Sequence, residues 1–336
     1  MLRRLTRREA LARMAWIGGG TALGFRASAQ AKAKIRLVLP TPPTTYQLPY
    51  LVAQDTGWYA EHGLEMSELV VNGDSTALRT VISGSGDVTV IGPPTVFAAL
   101  IEGAKVRYIG SPQPVVDYNI LGGKDTADLA ALADKTFASA GPSDLTTEIP
   151  RLIMRKRGIP TDNVKFLQVG GHAARLQALE VGKVQGAMVN TLTTLIGQKN
   201  GQVKVLANVA KEFPQLGYVM YTAMQASLDD PSRRPAFETF IRGNIVGARL
   251  IQQDPARAAQ ILTKRVPDLP ADLVLSVVKQ LNASGVWGVD GGLDTQMVNF
   301  TSETLTRWKM IDRGVTPAEV VDDRFVKAAL AGLPRS

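Results

Sequence analysis

Val71–Gly92 reads VNGDSTALRTVISGSGDVTVIG, and Val169–Asn190 reads VGGHAARLQALEVGKVQGAMVN. Set 98 residues apart, the two segments share Val71/Val169, Gly73/Gly171, Leu78/Leu176 and Gly84/Gly182. Four identities in 22 positions are thin, and the shared order carries more. Each segment leaves a strand through a glycine-bearing loop, makes a short helix ended by glycine, enters a second strand and stops in a polar loop. In the first, Met66–Val71 reads as a strand, Ser75–Ser83 as a helix with Leu78, Val81 and Ile82 inward, and Asp87–Ile91 as a strand. In the second, Val164–Val169, His172–Val181 and Gln185–Val189 repeat that order. Two lobes of one α/β design account for it.

The alternation continues outward. Ile35–Leu39 is a short apolar strand, Gln47–His62 a helix stopped by Gly63, and Gly92-Pro93-Pro94 leads into a helix through Ile101, with a strand over Lys105–Ile109 after it. Beyond it, Thr136–Ala138 is a strand, a helix lies within Ser143–Arg157 with Pro150 in its first turn, and Val203–Ala207 is a strand. After Gly217–Thr222 the chain turns helical: Pro235–Gln253 carries Phe237, Phe240, Ile241, Ile245, Ala248 and Ile251 at helical spacing. Further helices are predicted over Ala256–Thr263, Ala271–Leu281, Thr295–Ile311 and Arg324–Ala331. The βαβα order predicts a mainly parallel sheet in each lobe, flanked by helices on both faces.

The chain has 336 residues, room for about two domains, and a net charge of +8. Most of that charge is local. Residues 1–29 hold six arginines and one acid, which leaves 32 basic and 29 acidic residues, +3, for the remainder. A basic start, a modest apolar stretch from Met14 to Phe25 and the small residues Ala27-Ser28-Ala29 read as a leader, with Ala29-Gln30-Ala31 as a second cleavage site. Thr6-Arg7-Arg8-Glu9-Ala10-Leu11-Ala12 resembles the twin-arginine export motif, with Ala10 and Ala12 as departures. No later run approaches the length of a membrane span, and no cysteine follows the leader, so a periplasmic, soluble protein without a lipid anchor is expected.

There is no cysteine, which excludes disulfides, thiolate metal sites and cysteine nucleophiles, and the only histidines are His62 and His172. No dinucleotide fingerprint, P-loop or nucleophile elbow is present. A remainder of +3 without a basic-aromatic face gives no support for nucleic-acid binding. No cofactor and no metal are expected, and the paired acids Asp229-Asp230 and Asp322-Asp323 read as helix-flanking charges.

In such sheets ligands sit beyond the carboxyl ends of the strands. The loops there are 41–47, 72–76, 92–95, 139–143, 170–173 and 190–193. Several precede helices, whose backbone N–H groups suit a small anion or polar group. The plain alternative is that these are ordinary βα turns.

The order Ile35–Pro40, PYLVAQDTGWYAEHGL over 49–64, Asn72–Gly92 closing on Gly-Pro-Pro, then Gly141, Gly158-Ile159-Pro160, Gly170-Gly171 and Ala178–Gly182 resembles a known family. It is similar to the bacterial periplasmic solute-binding proteins of the alkanesulfonate, taurine, nitrate and thiamine-precursor group. The resemblance implies a two-lobed type II periplasmic binding fold with a ligand cleft between lobes. It also implies crossing strands near Pro112–Leu121 and Gln215–Thr222, so that 1–31 is leader, 32–115 with 222–336 the first lobe, and 116–221 the second. A monomer would capture a small anionic or heteroaromatic solute by hinge closure and deliver it to an ABC permease and its ATPase, after passage through the twin-arginine export machinery. The family often places an acid before each closing strand; Asp87 keeps it and Gln185 replaces it.

Thr44, Thr45, Tyr46 and Gln47 lie after the first strand, where the family contacts ligand, and Tyr46 offers a ring to stack. Gly92 and Pro93 permit close backbone approach. Ser139, Gly141 and Ser143 sit at a helix start, and His172 at another. Asn190 and Thr191 mirror Gly92 and Pro93 across the repeat. Arg79 and Arg175 read as solvated, since Leu78 and Leu176 take the core positions, and Trp287 reads as a cleft wall or an interhelical core residue. Two other readings are an enzyme similar to the yeast-type thiamine-pyrimidine synthase, whose cysteine-rich segment is absent here, and a ligand-sensing partner of a receptor.

Overall fold

The computed structural model describes residues 33–141 and 145–334. The leader and Ser143 lie outside the described residues. The described residues form ten strands: β1 (Ala33–Leu39), β2 (Leu64–Val70), β3 (Val88–Ile91), β4 (Val106–Val115), β5 (Tyr118–Gly123), β6 (Thr136–Ser139), β7 (Lys165–Gln168), β8 (Gly186–Asn190), β9 (Val203–Asn208) and β10 (Gly217–Met224). They form two five-stranded sheets, ordered β2-β1-β3-β10-β4 and β7-β6-β8-β5-β9. The orders match position for position. In each sheet the first three strands are parallel and the fourth, β10 or β5, is antiparallel to both neighbours, so each sheet is mixed. Both antiparallel strands come from the other sheet: β5 follows β4 after Val116 and Asp117, and β10 follows β9 through the short helix Val209–Glu212.

Adjacent residues of the central strands feed opposite faces, as the pleat requires. Leu37 packs with Phe237 and Phe240, while Val38 packs with Val96 and Phe97. In the second sheet Phe137 packs with Ile153 and Met154, while Ala138 packs with Leu176 and Val189. Burial on both faces explains the near-continuous apolar strands.

The repeat's shared glycines have a backbone cause. Gly84 and Gly182 follow the caps of helices Asp74–Ile82 and His172–Glu180 with φ of +77° and +71°, the left-handed conformation that ends a helix. The long helix Arg234–Gln253 lies against helix Leu48–Asp55 so closely that a Cβ on Gly247 would stand 2.0 Å from the carbonyl oxygen of Pro49.

Two expected elements differ. The single helix over Gln47–His62 is three pieces, a 3-10 turn Thr45–Gln47 and helices Leu48–Asp55 and Trp58–Glu61, broken where Gly57 takes φ of +80°. Pro150 does not start its helix but lies inside Leu145–Lys156. Among the described residues, no helix is long and apolar enough to cross a membrane.

Candidate functional site

Four rings form a ladder from the first sheet to the second. Tyr46, in the turn after β1, meets Tyr218 of β10 edge-on at 6.0 Å between centroids. Tyr218 meets Tyr118 of β5 at 5.4 Å, and Tyr118 meets the His172 ring at 5.3 Å, both edge-on. Such pairs contribute about 0.5–1.5 kcal/mol each beyond their buried area. Burial pushes the Tyr46 phenol up to about 12, and Tyr218 also lies well above its ordinary value because it is buried. Tyr46 and Tyr218 thus stand in the ladder as neutral phenols.

The turn beside Tyr46 is held by a capping box: the Thr44 N–H donates to Gln47 Oε1. Thr44 and Thr45 stand at the same turn, with Thr45 and Gln47 buried. In the second sheet, Asn190 caps helix Thr191–Lys199 by accepting the Thr193 N–H at 2.9 Å, and Thr191 Oγ1 donates to the Asp117 carbonyl at 3.1 Å. The Asn190 N–H donates to His172 Nδ1 at 3.2 Å, and Arg175 donates to the same nitrogen at 3.0 Å. Two donors on Nδ1 make the imidazole neutral, with its proton on Nε2. Burial, and then the Arg175 charge, pull its pKa down to about 3.

Other expected residues have plainer roles. Gly92 has a φ of −76°, and a Cβ there would meet its nearest protein atoms at 3.5 Å, an ordinary contact, so the protein fold itself does not require glycine there. Its N–H donates to Asp74 Oδ2 at 3.0 Å, and Pro93 opens the helix Pro93–Ile101. Ser139 is buried and its carbonyl accepts from Val169, while Gly141 accepts from the Thr147 hydroxyl. Arg79 is exposed, as its neighbours imply. Arg175 is 2% exposed, against the solvated reading: its guanidinium bonds the carbonyls of Met188 and Gly170 as well as His172. Trp287 is buried in the first lobe's core and donates to Asn282 Oδ1 at 2.6 Å.

Asp117 carries the least expected chemistry. It sits on the link between β4 and β5, 4% exposed, with neither carboxylate oxygen in a well-formed hydrogen bond. Burial raises its pKa to about 6; the Thr191 N–H and the Gln113 amide stand near and lower it only in part. None of the four rings lines either of two cavities, one of about 520 Å³ beside Lys124 and Gln185 at the amino end of β8 and another of about 630 Å³ beside Val115, Asn119 and Asn208. The bridging rings and the buried polar groups, rather than open volume, make up the candidate site. Among the described residues, no three His, Cys, Asp or Glu stand close enough to hold a metal ion.

Residues 44–258, which contain every rung of the ladder, match the family model described as NMT1/THI5 like. The chain belongs to the NMT1/THI5-like family. No curated protein matches the chain. Solved structures that share the fold of this family member include the following three. The alkanesulfonate-binding protein SsuA from Xanthomonas axonopodis pv. citri, bound to MOPS, is 18% identical, with 87% of this chain and 98% of that chain covered and a TM-score of 0.68. The periplasmic nitrate-binding protein NrtA from Synechocystis PCC 6803 is 15% identical over 90% and 89%, TM-score 0.68. A zinc-bound ligand-binding component of an ABC-type import system from Staphylococcus aureus is 13% identical over 88% and 99%, TM-score 0.72. At such identities the likeness is one of fold: two α/β lobes with mixed sheets, as in this NMT1/THI5-like chain.

Proposed function

We propose that the chain is the extracytoplasmic solute-binding component of an ABC import system. The observation that carries this reading is the ring ladder, which joins the carboxyl ends of two sheets of identical strand order. Two connections cross between those sheets, after β4 and after β9. Such connections serve as hinges, and a solute touching Tyr46 on one side and Tyr118 on the other supplies the differential affinity that closure needs. The closed form then docks on a permease and its ATPase. Residues 1–31 act as a twin-arginine signal that sends the chain to the periplasm, where it works as a monomer and releases its solute unchanged. The MOPS bound to one fold neighbour and the nitrate that another binds support a small polar solute.

The test is a thermal-shift screen of the purified protein against sulfonates, carboxylates, amines and heteroaromatic compounds. A true ligand at 100 times its Kd stabilises by about 2.7 kcal/mol. Silence across all classes, or chemical turnover of a solute that binds, overturns the reading.

A further inference from the structure

Three polar side chains around the ladder are buried with atoms in no well-formed hydrogen bond among the described residues: both oxygens of Asp117, which the Thr191 N–H and the Gln113 amide only approach, Oε1 of Gln113 and Nε2 of Gln47. They are 4%, 0% and 1% exposed. A buried polar group without its full complement of hydrogen bonds is costly, so three beside one constellation of rings call for a ligand. They also belong together. Asp117 immediately precedes Tyr118, its charge acts on Tyr218, and the Gln113 amide stands beside its carboxylate. Gln113 on β4 lies opposite Val219, next to Tyr218, and the turn holding Gln47 packs on β4.

The sign of the site follows from what the helix starts already hold. The Gly92 N–H is taken by Asp74, the Asn190 N–H by His172 and the Thr193 N–H by Asn190 itself, while the Thr191 N–H faces the Asp117 carboxylate. The helix-start donors that an anion would use are therefore engaged, and of the unmatched atoms only Nε2 of Gln47 is a donor, against three acceptor oxygens. Arg175, the nearest buried cation, is spread over two carbonyls and His172. Asp74 acts on Tyr46 and Asp117 on Tyr218, so the first two rings of the ladder feel negative charge, while Arg175 stands against His172 at its far end. Carboxylate oxygens, an amide oxygen and ring faces suit an N–H cation, not an anion.

We propose that Asp117 and Gln113 form a subsite receiving the N–H groups of a protonated amine or amidinium, whose flat or apolar body lies against Tyr118 and Tyr218. This rests on the solute-binding reading and narrows it against the anionic solute expected from the helix starts. The experiment titrates the protein and its Asp117→Asn variant with benzamidinium, benzylammonium, benzoate and benzenesulfonate by calorimetry. The variant keeps the shape of the side chain, and its thermal melt confirms folding. Benzamidinium or benzylammonium is expected to bind the parent, and to lose about tenfold to a hundredfold in affinity on Asp117→Asn. Preference for the two anions, or cation binding indifferent to the substitution, overturns the assignment and leaves the solute-binding reading intact. Binding of no probe, with no hit in the wider screen, removes both.

Discussion

The Asn190 N–H donates to His172 Nδ1 at 3.2 Å, and 98 residues earlier the Gly92 N–H donates to Asp74 Oδ2 at 3.0 Å. Donor and acceptor occupy equivalent places in the two lobes, and each bond ties the start of one helix to the end of the strand before another. The chemistry differs: the first lobe uses a carboxylate, the second a neutral imidazole pinned by Arg175. His172→Ala leaves the Asn190 N–H and an Arg175 donor without their acceptor, and is expected to cost about 1–3 kcal/mol. His172→Asp copies the first lobe, pairs with Arg175, and is expected to retain most of the stability at pH 7.5. Urea denaturation of both variants checks this, and equal losses would refute it.

The same imidazole sets an acid limit. Its folded pKa of about 3 lies below the usual histidine value of 6.5, so the unfolded chain takes up a proton that the folded one refuses. Its stabilisation is complete above pH 6.5 and is lost as pH falls toward 3, at about 1.4 kcal/mol per pH unit. Denaturation series from pH 7 to 4 should show His172→Asp with a shallower loss than the parent.

Asp117 works in the opposite direction. Its folded pKa of about 6 lies above the ordinary 3.8, so its ionisation opposes folding: the penalty is absent below pH 3.8 and complete once pH exceeds 6. Asp117→Asn is therefore expected to stabilise the protein by about 3 kcal/mol at pH 7.5 and by almost nothing near pH 4. Melting curves at the two pH values check it, and the same shift at both would mean that no buried charge is involved.

How much of this was legible in the sequence follows the distance between partners. Strands, helices and the helix-ending glycines Gly84 and Gly182 depend on local spacing and local φ, and the repeat exposed them twice. Tyr118 and Tyr218 carry no local signal, because they matter only where β5 and β10 cross into the other sheet. Asp117 is an ordinary acid in sequence, and its burial comes from that crossing. Arg175 reads as surface from Leu176 beside it, yet it stands where the first lobe has buried Ala77, and its length lets it reach the Met188 carbonyl. Tyr46, His172 and Asn190 were visible because strand ends and helix starts locate themselves.

Asp87 and Gln185 also occupy equivalent places, and they separate a shared backbone tie from added charge. Asp87 accepts the Arg36 N–H at 2.7 Å and holds the side chains of Arg36 and Arg233 at 2.8 and 2.6 Å. Gln185 accepts the corresponding Thr136 N–H at 3.4 Å and is listless as an anchor by comparison, having no cation beside it in that role. Burial raises the Asp87 pKa, but the arginine bonds outweigh it and hold it below 3.8. Asp87→Asn is expected to cost about 2 kcal/mol, discounted because both arginines are partly exposed. Gln185→Ala should cost less than half of that. Urea midpoints for the two variants check the order.

The ladder makes a prediction about coupling. Tyr46 and Tyr118 each pack on Tyr218, at 6.0 and 5.4 Å, from opposite sheets. Substitutions sharing a partner are non-additive, whereas distant independent ones add within about 0.3–0.5 kcal/mol. Tyr218→Leu loses both ring pairs and should cost about 1–3 kcal/mol, while Tyr218→Phe keeps both, loses the hydrogen bond with Tyr118 and should cost about 0.5–1.5 kcal/mol. The double substitution Tyr46→Leu with Tyr118→Leu should depart from the sum of its parts by more than about 0.5 kcal/mol. Placing Tyr218→Leu beneath all three variants should abolish that departure, because the ring transmitting it is gone. If the departure persists in the Tyr218→Leu background, the two sheets communicate by another route and the ladder is only a stack of neighbours.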